Sequence, residues 1–100
     1  MSLKIDKTTQ SNETIVSLDG RLDTTTSPEL EKFIENELKD TTELVLDLQK
    51  LEYVSSAGLR VILKAQKMMN KKGSMKLIHV GEVIQEVFEI TGFTDILTIE

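Results

Sequence analysis

The sequence predicts an α/β domain, a mixed β-sheet flanked by helices in the order β-β-α-β-α-β-α with a short C-terminal element. Three observations predict it. Apolar residues alternate along the chain between a period of two and a period near 3.6, as strands packed under helices require. The apolar run Leu44-Val45-Leu46 is too short for a helix and suits a central strand buried on both faces. Pro28, Ser55-Ser56, Gly73 and Gly92 supply start and stop residues where the period changes.

Taken in order, Leu3, Ile5 and Thr9 alternate with polar residues, Ser11-Asn12-Glu13 breaks the pattern, and Ile15-Val16-Ser17-Leu18 forms a second strand. These two strands make a hairpin. Thr26-Ser27-Pro28-Glu29 opens the first helix, with Pro28 at the first helical position, Ser27 as cap, and Thr26 with Glu29 as a competing capping box. Leu30, Phe33, Ile34 and Leu38 share one face of it. The Leu44–Leu46 strand lies parallel to the second strand, because a helix intervenes and strand-helix-strand crossovers join parallel neighbours.

In the next helix, Leu59 to Asn70, the residues Leu59, Val61, Ile62, Leu63, Ala65, Met68 and Met69 leave little polar surface, and Gly73 stops it. Met75 and Leu77, with Ile78 at the end, give another strand. Val83, Ile84, Val87, Phe88 and Thr91 trace a face of the third helix, which Gly92 ends. Ile96, Leu97 and Ile99 close the chain as a short strand or a last helical turn. The expected core is Leu46, Leu59, Ile62, Leu63, Leu77, Ile84 and Phe88, which satisfy both periodicities.

One hundred residues, 39% hydrophobic and 29% charged, suffice for one core and one domain spanning residues 1–100. No apolar stretch approaches the ~20 residues of a membrane span, and the first residues lack the apolar run of a signal peptide. A cytoplasmic location, away from membranes, is the expectation. Absence of cysteine excludes disulfides and thiolate chemistry. A net charge of −5 argues against nucleic acid, and Lys67, Lys71, Lys72 and Lys76 complement the negative pole of a helix end.

A hydrolase would need a nucleophile, an activating base and a group to orient that base. The single histidine, His79, ends an apolar strand, and no Gly-x-Ser-x-Gly elbow surrounds a serine. Asp19, Asp23, Asp47 and Glu52 match no calcium loop, and the glycines are scattered singly. The expectation is a protein that is not an enzyme and holds no metal or cofactor.

What remains is Ser55-Ser56-Ala57-Gly58-Leu59-Arg60, where a strand gives way to a helix. The first turn of a helix has backbone N–H groups without intrahelical partners and carries the positive end of the macrodipole. A serine there caps the helix or, once phosphorylated, holds an anion in a favourable place. Local sequence leaves both readings open.

The run Asp47-Leu48-Gln49-Lys50-Leu51-Glu52-Tyr53-Val54-Ser55-Ser56-Ala57-Gly58-Leu59 resembles the signature of the STAS domain, in particular its small stand-alone bacterial antagonists of anti-sigma factors. Gly20-Arg21-Leu22-Asp23 is similar to that family's turn after the second strand, and Val87-Phe88-Glu89-Ile90-Thr91-Gly92-Phe93 to the end of its third helix. The resemblance implies an antagonist that binds an anti-sigma factor serine kinase when unphosphorylated and is released on phosphorylation, with a phosphoserine phosphatase resetting it. The family's phosphosite lies two residues before the glycine, which selects Ser56 over Ser55. The preceding residue, commonly aspartate in that family, is Ser55 here. By the same resemblance Asp23, Ser55, Ser56, Ala57, Gly58 and Arg60 form the partner surface, with Asp23 beside the phosphosite. The alternative is a non-enzymatic STAS scaffold or sensory module in a larger signalling assembly, in which Ser56 only caps its helix.

Overall fold

A computed structural model describes residues 3–100. The strand β1 (Leu3–Gln10) turns back into β2 (Glu13–Leu22) as an antiparallel hairpin. Helix α1 (Ser27–Glu37) leads to β3 (Glu43–Val54), α2 (Ser56–Lys72) to β4 (Ser74–Ile78), and α3 (Glu82–Thr91) follows. The sheet order is β1-β2-β3-β4, with β2, β3 and β4 mutually parallel. This is the expected mixed sheet in the expected order.

Alternation decides which strand residues face the helices. Val16 and Leu18 of β2, Leu44, Leu46 and Leu48 of β3, and Met75 and Leu77 of β4 join Leu30, Ile34, Ile62, Met69, Ile84 and Phe88 in one core. Leu44, Val45 and Leu46 are all buried, as a central strand requires. Val45 points to the other side of the sheet, where its register neighbours are Ile15 and Lys76.

Several details differ from the sequence expectation. Strands β2 and β3 run further than their apolar runs, because register shifts at Ser17/Asp19 and Gly20/Arg21 carry the pairing on to Leu22↔Val54. The cap of α1 is Thr26, with Ser27 already inside the helix, and neither the Ser27 cap nor the Thr26–Glu29 box forms. The Thr26 hydroxyl is engaged instead with the Arg21 carbonyl, at 2.7 Å. Among the expected core residues only Leu63 is half-buried, since it falls at the edge of the α2 arc centred on Ile62 and Met69.

Helix α3 buries Ile84 and Phe88, whereas Val83 is 65% exposed, so its inward face is narrower than the apolar spacing suggested. Gly92 ends it in a left-handed conformation (φ 79°) that favours glycine. The C-terminal segment combines both anticipated forms. A 3₁₀ turn at Phe93–Asp95 precedes a parallel bridge of Ile99 to Leu77, with the Leu77 N–H donating to the Thr98 carbonyl at 2.8 Å. That segment pairs with the outer edge of β4. Lys72 serves a neighbouring helix as well as its own, donating to the carbonyls of Leu38 and Lys39, at 2.6 and 3.0 Å, just beyond the end of α1.

Candidate functional site

The parallel pairing of β2 and β3 brings the chain after each strand to the same edge of the sheet. The Ser55 N–H donates to the Leu22 carbonyl at 2.9 Å, so the start of α2 is tied to the residue before Asp23. Ser55 has extended backbone, and its hydroxyl accepts from the Gly58 N–H at 3.2 Å. Its own carbonyl takes the Leu59 N–H at 2.9 Å. Ser55 is therefore the N-cap of α2.

Ser56 occupies the first helical position and is exposed. Among the described residues its hydroxyl has no hydrogen-bond partner. The two serines thus divide the roles that the sequence left open: one closes the helix, the other presents a free hydroxyl at the positive end of the 17-residue helix. Capping by Ser56 does not occur.

Gly58 is buried against β2. A side-chain Cβ there would lie 2.7 Å from Leu22 Cγ and 2.9 Å from the Leu22 carbonyl oxygen. Glycine lets the first turn of α2 press onto the end of β2, and this contact positions the serines. Of the six residues expected to form the partner surface, Gly58 is buried.

Asp23 is engaged within its own turn. Its Oδ1 accepts from the Thr25 N–H at 3.0 Å, the Thr25 hydroxyl at 2.8 Å and the Thr26 N–H at 3.1 Å. These bonds, the Thr25 hydroxyl foremost, hold its carboxyl below the usual pKa. The Asp23 carbonyl accepts from the Ser27 N–H at 2.8 Å and from the Ser27 hydroxyl, which closes the turn onto α1.

Ala57 is half-buried and Arg60 exposed. Together with Thr24, Pro28, Val61 and Lys64 they line a shallow groove of about 270 Å³ between the first turns of α1 and α2. Lys64 bridges the helices through Glu31 and Glu35, at 2.5 and 3.2 Å. Sequence reasoning missed one neighbour. The Arg21 guanidinium stacks 4.3 Å from the centre of the Tyr53 ring, which is 39% exposed. The two residues are register partners at the ends of β2 and β3, a relation that only the strand extension reveals.

No group of three or more histidine, cysteine, aspartate or glutamate side chains among the described residues is arranged to hold a metal. His79 has a positive φ of 56°, and its Nδ1 lies 2.9 Å from Asp47 Oδ1, away from both serines in sequence and strand. No helix among the described residues is long and apolar enough to cross a membrane.

Comparison with known proteins agrees with this fold. An anti-sigma-B factor antagonist of Staphylococcus aureus is 32% identical over 99 residues, covering 97% of this chain and 92% of that protein. The crystal structure of an anti-sigma factor antagonist from Mycobacterium paratuberculosis superposes with a TM-score of 0.89 at 22% identity, covering 97% of this chain and 84% of that one. The Bacillus cell fate determinant SpoIIAA in its phosphorylated form superposes with a TM-score of 0.74 at 15% identity, over 98% of this chain and 90% of that one. The STAS domain model matches residues 4–100, and the chain belongs to the STAS domain family.

Proposed function

We propose that this protein is an anti-sigma factor antagonist whose affinity for an anti-sigma factor serine kinase is switched by phosphorylation of Ser56. The reading is carried by one observation: of two adjacent serines, Ser55 is consumed as a cap while Ser56 keeps a free, exposed hydroxyl at the first position of α2. The Staphylococcus aureus relative, named an anti-sigma-B factor antagonist, supports the antagonist role.

Phosphate on Ser56 adds a charge of about −1.5 to −2 beside the unpaired N–H groups of the first turn. Those groups and the helix dipole stabilise it inside the domain, so the fold survives. Release arises at the interface. A partner packed over Ser56, Ala57 and Arg60 would have to desolvate the phosphate, and any carboxylate or nucleotide phosphate facing it would repel it. Asp23, with its carboxyl held ionised by the threonine turn, sets a negative neighbour near the same edge and shapes the unmodified surface. Removal of the phosphate by a phosphoserine phosphatase restores binding. The protein itself performs no catalysis in this cycle, and a cytoplasmic setting follows from partners that act on transcription.

Incubation with a cognate kinase and ATP, followed by peptide mass spectrometry, tests the reading. One phosphate on Ser56 is the expected result. Phosphate on Ser55 or on Thr24–Thr26 contradicts the assignment, and stable assembly with a larger complex that ignores Ser56→Ala supports the scaffold role instead.

A further inference from the structure

The net charge of the protein is confined to its C-terminal quarter. From Leu77 to Glu100 there are carboxylates at Glu82, Glu86, Glu89, Asp95 and Glu100 and no lysine or arginine, while all 12 basic residues lie earlier. The formal net charge of −5 is therefore the charge of this segment alone. On α3 that charge borders an apolar stripe. Val83, Val87 and Ile90 are spaced four and three residues apart and share one face of the helix, Val87 half-buried where that face meets the core. Val83 is 65% exposed and Ile90 84%, the two most exposed large hydrophobic side chains of the described residues. The core needs neither, because Ile84 and Phe88 on the neighbouring arc of the helix supply its buried contacts. A scattered exposed apolar residue needs no account, but a helical stripe rimmed by charge of one sign has the anatomy of a docking surface.

We propose that the outer face of α3 docks a lysine- or arginine-rich amphipathic segment of a partner protein, with Val83, Ile90 and the exposed side of Val87 against its apolar side and Glu82, Glu86 and Glu89 against its basic side. Charge selects this occupant. A second copy of the same face would bring like charges together, and an anionic surface would be repelled; a basic amphipathic helix meets both the apolar and the acidic demand. None of Asp23, Ser55, Ser56 or Arg60 lies on α3, so this surface shares no residue with the proposed phosphorylation switch.

The probe is a synthetic leucine–lysine peptide of helical periodicity, about five turns long, titrated into the intact protein while backbone amide shifts are followed by NMR. Shifts are expected along α3, centred on Val83 to Ile90, and weaken with added salt. Ile90→Ser should lower affinity by about tenfold or more without changing the thermal midpoint. Glu86→Gln should weaken binding severalfold, whereas Glu29→Gln, an equal change of charge on α1, should not. The proposal is overturned by absence of binding, by shifts centred away from α3, or by equal binding of a peptide with glutamate in place of lysine. Self-association that disappears in Ile90→Ser would also overturn it, because the occupant would then be a second copy.

Discussion

The Ser55 hydroxyl accepts a hydrogen bond from the Gly58 N–H at 3.2 Å, and this bond separates the duties of two neighbouring serines. Ser55→Ala removes the side-chain cap of α2 and should cost about 0.5–2 kcal/mol in denaturant melts. Ser56→Ala touches no bond within the domain and should stay within about 0.5 kcal/mol of wild type. The reverse order would place the cap on Ser56.

Gly58→Ala should destabilise even though alanine is the better helix former by about 0.5–1 kcal/mol. The added methyl meets Leu22 Cγ at 2.7 Å and the Leu22 carbonyl at 2.9 Å, and backbone cannot step aside cheaply. Overpacking of this kind costs about 1–3 kcal/mol. A variant as stable as wild type would mean that the start of α2 does not press on β2.

Ile62 is fully buried in the middle of α2, and Ile62→Ala should cost about 2–5 kcal/mol. A loss under about 1 kcal/mol would count against α2 being packed on the sheet.

Much of this was legible in the sequence, and the failures share a cause. The order of elements, the parallel pairing and six of seven chosen core positions follow from periodicity, because burial of a strand face or a helix arc writes itself directly into residue type. The cap of α1 and the Arg21–Tyr53 stack did not. Both depend on where β2 ends, which the register shifts at Ser17/Asp19 and Gly20/Arg21 decide and no local pattern records. The choice between Ser55 and Ser56 as cap likewise turned on one residue of helix register. Val83 shares the apolar spacing of α3 with Ile84 and Phe88 yet lies outside the core, because an apolar residue carries no mark of which surface covers it.

Asp23 should titrate below the ordinary aspartate value of about 3.9, since Thr25 and Thr26 donate to its ionised form. A carboxyl whose pKa is lower folded than unfolded adds stability above the unfolded pKa, and that share is lost as pH falls through the folded pKa. Acidification through that window should therefore loosen the α1 turn, and Asp23→Ala should remove this part of the acid sensitivity. An NMR titration midpoint at or above the ordinary value would show that the threonine bonds do not persist in solution.

Charge at Ser56 should act on the interface and spare the fold, and calorimetry of wild type, Ser56→Asp and the Ser56-phosphorylated protein against an anti-sigma factor kinase tests this most directly. Thermal midpoints of the variant and the phosphoprotein should match or slightly exceed wild type, because each anion suits the first turn of α2. Kinase affinity should fall at least tenfold for the phosphoprotein, about 1.4 kcal/mol, and by less for Ser56→Asp, which carries less charge and fewer acceptor oxygens. Unchanged affinity of both forms would contradict the switch and leave Ser56 as a surface residue of a STAS scaffold.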